Sequence, residues 1–143
     1  MAVATISRIF KLLGDPTRLR LLRLLALNEL SVMELASATQ LSQSRISNHL
    51  KLLKEEEFIV ERREGSWRYY RLDLDATSEP AKSIWTSLEK TFEPDDQFLA
   101  DSARLQAVLL KRQSRQGNFF DEMADEWDSV RNQLFGDMIP RHL

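Results

Sequence analysis

The 143-residue sequence contains no cysteine and only two histidines, His49 and His142. The lack of cysteine excludes disulfides, thiolate metal ligands, thiol nucleophiles and thiol redox sensing, and two distant histidines cannot form a histidine-rich metal site. No arrangement of Ser, Lys and Asp suggests a nucleophile with its base. The sequence therefore predicts no catalytic residues, no metal site and no cofactor, and it does not indicate an enzyme.

Long apolar runs are also missing. No stretch of eighteen apolar residues occurs, and the N-terminus lacks the basic, apolar and small-residue order of a secretory signal. These features predict a cytoplasmic protein with no membrane partner. The length and the 43% hydrophobic content allow one core of ordinary domain size with a helical extension.

Neither sign of charge is in large excess, but the charges are unevenly distributed along the chain. The net charge is −2, but residues 1–75 carry 12 Lys and Arg against 10 Asp and Glu, whereas residues 76–143 carry 8 against 12. A site for a polyanion is therefore expected in the first half of the chain.

Helix start signals divide the first forty residues into three short helices. The stretch "ATISRIFKLL" at 4–13 has one apolar face. Asp15 followed by Pro16 is a strong start signal for a second helix, and Ser31 with Glu34 matches a capping box for a third. The expected inward residues of the second helix are Leu19, Leu22 and Ala26.

The next helix, "LSQSRISNHLKLL" at 41–53, has an unusual polar face. Ile46, Leu50 and Leu53 form an apolar stripe, and the opposite face is rich in Ser and Asn, which are poor helix formers on a merely solubilising surface. A short helix, a tight turn and this longer helix form a helix-turn-helix arrangement. Its second helix, predicted at 42–55, would lie in the DNA major groove.

The outward side chains of that helix have the chemistry needed to read DNA. Gln and Asn can pair with adenine, Ser can bond to any base, and Arg or Lys can contact guanine or phosphate. The alternative is that Ser42 only caps the helix, that the other residues form a solvated face, and that Arg45 makes a surface ion pair. The predicted contacts are Gln43, Ser44, Arg45, Ser47, Asn48 and Lys51.

A period-two pattern in "FIVERREGSWRYYRL" predicts a β-hairpin at 59–72 with Gly65 at its tip. Arginines near such a tip can contact phosphates or enter a narrow minor groove. The alternative is that they pair with Glu61 and Glu64. The predicted DNA contacts of the hairpin are Arg62, Arg63 and Arg68.

These elements predict a mainly α fold with a small β-hairpin (α+β): a winged helix-turn-helix domain over residues 1–93, followed by a C-terminal helical extension over residues 94–143. Helical spacing resumes after Pro80, again over 95–115, and in a last amphipathic segment from Phe119. The expected inward residues of the 95–115 helix are Leu99, Ala103, Gln106 and Leu110 or their neighbours.

The first helix and the helix after Pro80 have more apolar surface than one small domain needs. This excess favours a homodimer, and the alternative is that the C-terminal helices cover the same surface. The predicted interface residues are Ile6, Phe10, Ile84, Trp85 and Leu88.

Three segments, "LLGDPTRLRLLRLL", "LSVMELASATQLSQSRISNHLKLL" and "ERREGSWRYYRL", together resemble the ArsR/SmtB family of small bacterial winged-helix repressors over about residues 5–92. The resemblance implies a homodimer held by its first and fifth helices, which binds an inverted repeat in promoter DNA and releases it on a signal. Metal-sensing members place cysteines where Ser31 and Met33 stand, so thiolate metal sensing is not expected. Members often have Gly where this chain has Glu57, which predicts a cost of about 1 kcal/mol or a different turn.

The tail segment "NFFDEMADEWDSVR" is similar to the linker that precedes an S-adenosylmethionine-dependent methyltransferase domain in fused members of that family. Two alternatives therefore remain: the regulatory N-terminal part of a methyltransferase, and a winged-helix protein-interaction module. The similarity suggests an S-adenosyl compound as a small-molecule effector, although no phosphate-cradling or ribose-binding motif supports it in this chain.

Overall fold

The computed structural model describes residues 2–122, with side chains over residues 2–113. In this part of the chain, six helices and a two-stranded antiparallel sheet confirm the predicted mainly α fold with a small β-hairpin. The elements are α1 (Val3–Leu13), α2 (Pro16–Leu27), α3 (Val32–Thr39), α4 (Gln43–Glu55), β1 (Ile59–Glu64), β2 (Trp67–Leu72), α5 (Ala81–Glu89) and α6 (Asp96–Glu122).

Side-chain caps define the starts of the second and third helices. The carboxylate of Asp15 accepts hydrogen bonds from the backbone N–H groups of Thr17, at 2.8 Å, and Arg18, at 3.1 Å. Ser31 and Glu34 form the predicted capping box: the Ser31 hydroxyl accepts from the Glu34 N–H at 3.2 Å, and the Glu34 carboxylate accepts from the Ser31 N–H at 2.9 Å. Both predicted helix starts are confirmed.

The second helix, α2, is the centre of the core. It contacts α1, α3, α4 and β2, so its buried surface is wider than the single stripe that the sequence suggested. Leu22 is buried as predicted, but Leu19 is only half-buried and Ala26 is exposed, so the prediction for Ala26 is wrong. The residues of α2 that are at most 2% exposed are Leu21, Leu22, Leu24 and Leu25.

The hairpin is the predicted one. Glu64 pairs with Trp67 across a two-residue turn in which Gly65 has a φ of 61°, a left-handed conformation that favours glycine. Leu30, just before α3, exchanges two backbone hydrogen bonds with Tyr70, at 2.9 and 2.8 Å. These bonds fix the hairpin against the end of the α2–α3 connection.

The inward face of α6 differs from the predicted one. Leu99 is 54% exposed and Leu110 is 56% exposed, whereas Asp101 and Leu105 are buried. Ala103 and Gln106 are exposed as well, so none of the four named positions is buried, whereas Leu105, a neighbour of Gln106, is. The apolar pattern of this helix did not indicate that a carboxylate, Asp101, is among its buried side chains.

The first compact unit of the chain comprises residues 1–105 and so includes the beginning of α6, and the second unit begins at Gln106. None of the helices within the described residues has the length and apolar character needed to cross a membrane. The predicted segment from Phe119, with the tail that resembles a methyltransferase linker, lies outside the residues whose side chains are described.

Candidate nucleic-acid interface

The turn between α3 and α4 is built from local polar chemistry. Gln40 ends α3 in a left-handed conformation, with a φ of 62°, and its side chain donates to the carbonyl of Ser37 at 2.8 Å. The Ser42 hydroxyl then caps α4 by accepting from the N–H of Arg45 at 3.2 Å. The apolar stripe of α4 is buried as predicted, which fixes the rotation of the helix and leaves its polar face outward. This stripe consists of Ile46, Leu50 and Leu53.

Five of the predicted DNA-contacting side chains form one exposed surface on α4, which we call the reading face. At about 100° per residue they lie within an arc of roughly 140°. None of them has a hydrogen bond or ion pair with another side chain in the part of the chain whose side chains are described. Unpaired donors and acceptors of this kind are what base-edge recognition requires. The reading face consists of Gln43, Ser44, Ser47, Asn48 and Lys51.

Arg45 lies at the flank of the reading face and is exposed. Its Nη2 donates to the hydroxyl of Thr17 in the first turn of α2, at 3.1 Å. The surface ion pair considered as an alternative for Arg45 is not formed with any described side chain. The hydrogen bond to Thr17 instead holds Arg45 beside the start of α2.

Arg62 of the hairpin is engaged by carboxylates. Its guanidinium lies 2.7 Å from a Glu29 oxygen and 2.9 Å from a Glu64 oxygen, and it stacks over the ring of Tyr69 at 5.0 Å. The hydrogen bonds that Arg62 donates to these two carboxylates raise the pKa of Arg62 above its usual value. The alternative of intramolecular pairing is therefore realised for this arginine, although its side chain is 49% exposed.

Arg63 and Arg68 are directly opposite each other in the hairpin register. Like charges in this position are destabilising unless an anion lies between or beside them. Arg68 is 3.7 Å from Glu61, but that carboxylate is also bound by Lys54 at 2.8 Å. The hydrogen bond from Lys54 holds the pKa of Glu61 below its usual value. Arg68 thus shares an already occupied carboxylate, and Arg63 has no hydrogen bond or ion pair with any described side chain. The pair is left with a local excess of positive charge.

An apolar groove of about 560 Å³ separates α1 from α5. Phe10, which is 58% exposed, lies on one wall, and Ile84 and Leu88 lie on the other. Ile6 is half-buried on α1. Trp85 is fully buried within the single chain and donates to Glu89 at 3.2 Å, so it has no surface to offer a partner and is a core residue.

Comparison with known proteins places the chain among bacterial regulators. The family profile described as "Bacterial regulatory protein, arsR family" matches residues 15–60. The arsenic resistance transcriptional regulator ArsR2 of Pseudomonas putida is 41% identical over 96 residues, which are 66% of this chain and 80% of that protein. The arsenical resistance operon repressor of Escherichia coli is 35% identical over 114 residues, 78% of this chain and 89% of that protein. The chain belongs to the ArsR family of transcriptional regulators.

The fold agrees with this family. A homodimeric winged helix-turn-helix DNA-binding domain from Mycobacterium bovis, solved by NMR, aligns with a TM-score of 0.51 and 30% identity, over 62% of this chain and 78% of that one. The helix-turn-helix of α3 and α4 and the wing of β1 and β2 are thus the winged-helix elements of an ArsR-family regulator.

The structure describes the three positions, Ser31, Met33 and Glu57, at which the chain was expected to depart from the family pattern. Ser31 is 3% exposed and serves as a helix cap, and Met33 is 53% exposed. Glu57 has a φ of 62°, so the left-handed turn is retained without glycine. Within the described residues, no group of three His, Asp or Glu side chains is arranged to hold a metal ion.

Sequence reasoning missed a polar cluster beside the helix-turn-helix, formed by Asp101 with Arg20 and Arg104. One signal in the sequence was available. Asp101 shares a helical face with Leu105, and an acidic residue on an otherwise buried face requires a partner.

Proposed function

We propose that this ArsR-family chain is a homodimeric repressor that binds an inverted-repeat operator through α4 and the wing. The proposal rests on the reading face, whose five polar side chains are exposed and form no hydrogen bond or ion pair with another described side chain. Gln43 and Asn48 have the amide geometry that pairs with adenine, and Lys51 lies where a phosphate contact is expected. The relative from E. coli is named an operon repressor, which supports repression rather than activation.

The α1–α5 groove supports dimerisation. Its walls are apolar side chains such as Phe10 and Leu88, and a second copy would remove them from water. The related M. bovis domain is homodimeric. The two α4 helices of such a dimer, about 34–36 Å apart, would enter successive major grooves. An effector that changes this separation would release the DNA.

The effector of this chain is not bound by thiolates. Two relatives are named for arsenic resistance, but no cysteine occurs in the 143 residues, and Ser31 is committed to the cap of α3. An S-adenosyl compound, suggested by the tail, remains a prediction. Unchanged melting temperature with both S-adenosylmethionine and S-adenosylhomocysteine would count against it.

Fluorescence anisotropy provides the test of DNA recognition. The full chain would be titrated against a duplex from its own upstream region and a scrambled duplex, at two salt concentrations. Ser44→Ala and Asn48→Ala would be compared with Ser7→Ala, a matched change at an exposed serine on α1. We expect salt-sensitive preference for the upstream duplex, which each α4 variant reduces by about 5- to 100-fold and Ser7→Ala leaves unchanged.

Two other results would overturn the proposal. Equal, weak binding to both duplexes that Ser44→Ala leaves unchanged would make α4 a solvated face. Salt-insensitive or absent binding would instead favour a protein-interaction module.

A further inference from the structure

A buried carboxylate joins the beginning of α6 to α2. Asp101 is 1% exposed, and Arg20 binds both of its oxygens, with Nε 3.0 Å from Oδ2 and Nη2 2.9 Å from Oδ1. Arg104 and Gln97 each donate to Oδ1 as well, at 3.1 and 3.0 Å. The charge of Asp101 is thus fully compensated, which is the condition for burying a carboxylate without a large penalty.

The same two arginines hold the end of α3. Arg20 Nη2 donates to the carbonyl of Thr39 at 2.8 Å, and Arg104 Nε donates to the carbonyl of Ala38 at 2.7 Å. Carbonyls in the last turn of a helix lack partners within the helix, and they are favourable sites for cations. Asp101 orients both guanidinium groups toward this one helix end. The arrangement is a clamp, formed by Arg20, Asp101 and Arg104.

The carbonyls of Ala38 and Thr39, which the clamp binds, lie directly before the turn that leads into α4. Thr39 is followed by Gln40 in its left-handed conformation, and Ser42 caps α4 two residues later. The direction in which α4 leaves α3 therefore depends on the orientation of the last turn of α3. A displacement of the last turn of α3 by about 1 Å is enough to weaken base contacts of α4 that depend on hydrogen-bond geometry.

We propose that Arg20, Asp101 and Arg104 are positioning residues for DNA recognition, which act by fixing the end of α3 and so the reading face. The proposal rests on the proposed DNA-binding function and extends it to a helix outside the helix-turn-helix and the wing. It also assigns the start of α6 a part in sequence discrimination rather than in affinity for DNA in general.

The test compares Arg104→Ala with Lys111→Ala in the full chain. Both substitutions remove one positive charge from α6, but Lys111 is exposed and outside the clamp. Arg104 is partly exposed, so its replacement is less disruptive than that of Asp101. Affinity for the upstream and scrambled duplexes would be measured at several salt concentrations, at least 10 °C below the melting temperature of each variant.

We expect Arg104→Ala to lower the ratio of specific to non-specific affinity by about three- to tenfold, as for residues that act through packed contacts. Affinity for the scrambled duplex and the salt slope should match those of Lys111→Ala, because no phosphate contact is lost. Asp101→Asn should lower the ratio in the same direction, and the double variant should add little to either change.

The outcomes separate this inference from the proposed function. If the unmodified chain discriminates between the duplexes and Arg104→Ala discriminates equally well, the clamp is only structural and the inference is wrong. A parallel loss of affinity for both duplexes, with a smaller salt slope, would make Arg104 a phosphate contact instead. If the unmodified chain does not discriminate at all, the proposed function fails and this inference fails with it.

Discussion

Arg18 of α2 contacts His49 of α4, with 3.2 Å between Arg18 Nη1 and His49 Nδ1. The same guanidinium donates to the carbonyls of Lys11 and Leu12 in the last turn of α1. Because a guanidinium has only donors, His49 must accept through Nδ1, and its proton lies on Nε2. The link that Arg18 makes between α1 and α4 therefore requires His49 to be neutral.

This contact predicts a pH dependence of stability. Burial lowers the pKa of His49, and the charges of Arg18 and Arg45 lower it further, while the Asp15 carboxylate opposes them. A histidine with a lower pKa in the folded state takes up a proton on unfolding. Its contribution is thus fully present above about pH 6.5 and is lost as the pH falls from there through the folded pKa.

Urea denaturation between pH 7.5 and 5 would measure the effect. We expect the midpoint of the unmodified chain to fall more steeply with decreasing pH than that of His49→Gln, whose amide oxygen can accept the same bond without titrating. Asp15, whose pKa lies below its usual value, titrates at lower pH and does not contribute in this range. Identical pH profiles for the two proteins would contradict the assignment.

The two adjacent wing arginines should differ in their effect on DNA binding. Arg63 has no partner among the described side chains, whereas Arg62 is paired with Glu29 and Glu64. Arg63→Ala is expected to reduce the magnitude of the salt slope by about 1 for both duplexes, since one phosphate contact is lost. Arg62→Ala should change the slope much less. The affinities would be measured over a range of salt concentrations, and equal slopes for the two variants would refute the distinction.

What could be predicted from the sequence was determined by local chemistry. Asp15 with Pro16, and Ser31 with Glu34, define helix starts through hydrogen bonds that span at most three residues, so the predicted starts agree with the structure. The exposed side of α4 could also be predicted from local sequence, because a short apolar stripe fixes which side of the helix faces outward.

What could not be predicted depends on distant partners. Arg20 and Asp101 are separated by 81 positions, and nothing near either residue indicates the other. The buried face of α6, with Asp101 and Leu105, follows from that pairing, and the exposed Leu99 and Leu110 do not indicate it. Trp85 likewise lies on a helix with apolar residues on two sides, and only the tertiary contacts decide which side faces the core of its own chain.

If the α1–α5 groove is the dimer interface, a charge introduced at Phe10 should weaken dimerisation. Phe10→Glu would place a carboxylate in an apolar interface, and we expect dimerisation to weaken by about 30-fold or more, which corresponds to about 2 kcal/mol. Leu27→Glu is the matched control, because Leu27 is similarly exposed, at 56%, but lies outside the groove. Sedimentation equilibrium would give both dissociation constants. If Phe10→Glu stays as dimeric as the control, the groove is not the interface.

Glu57 predicts a stabilising substitution. Its φ of 62° is unfavourable for a residue with a Cβ, whereas glycine adopts it freely. Its backbone N–H donates to the carbonyl of Lys54 at 3.0 Å, and its own carbonyl accepts from the Thr77 hydroxyl at 2.9 Å. Glycine keeps both contacts. We therefore expect Glu57→Gly to raise the free energy of unfolding by about 0.5–1 kcal/mol.

The control for this substitution is Glu55→Gly, two residues earlier. Glu55 is also exposed but lies in the last turn of α4, where glycine has a low helix propensity. Glu55→Gly should therefore lower the free energy of unfolding, by about 0.5–1 kcal/mol, although both variants remove the same charge. Urea denaturation at neutral pH would measure the two changes. A loss of stability in both proteins would mean that the side chain of Glu57 stabilises the fold by more than its left-handed backbone costs.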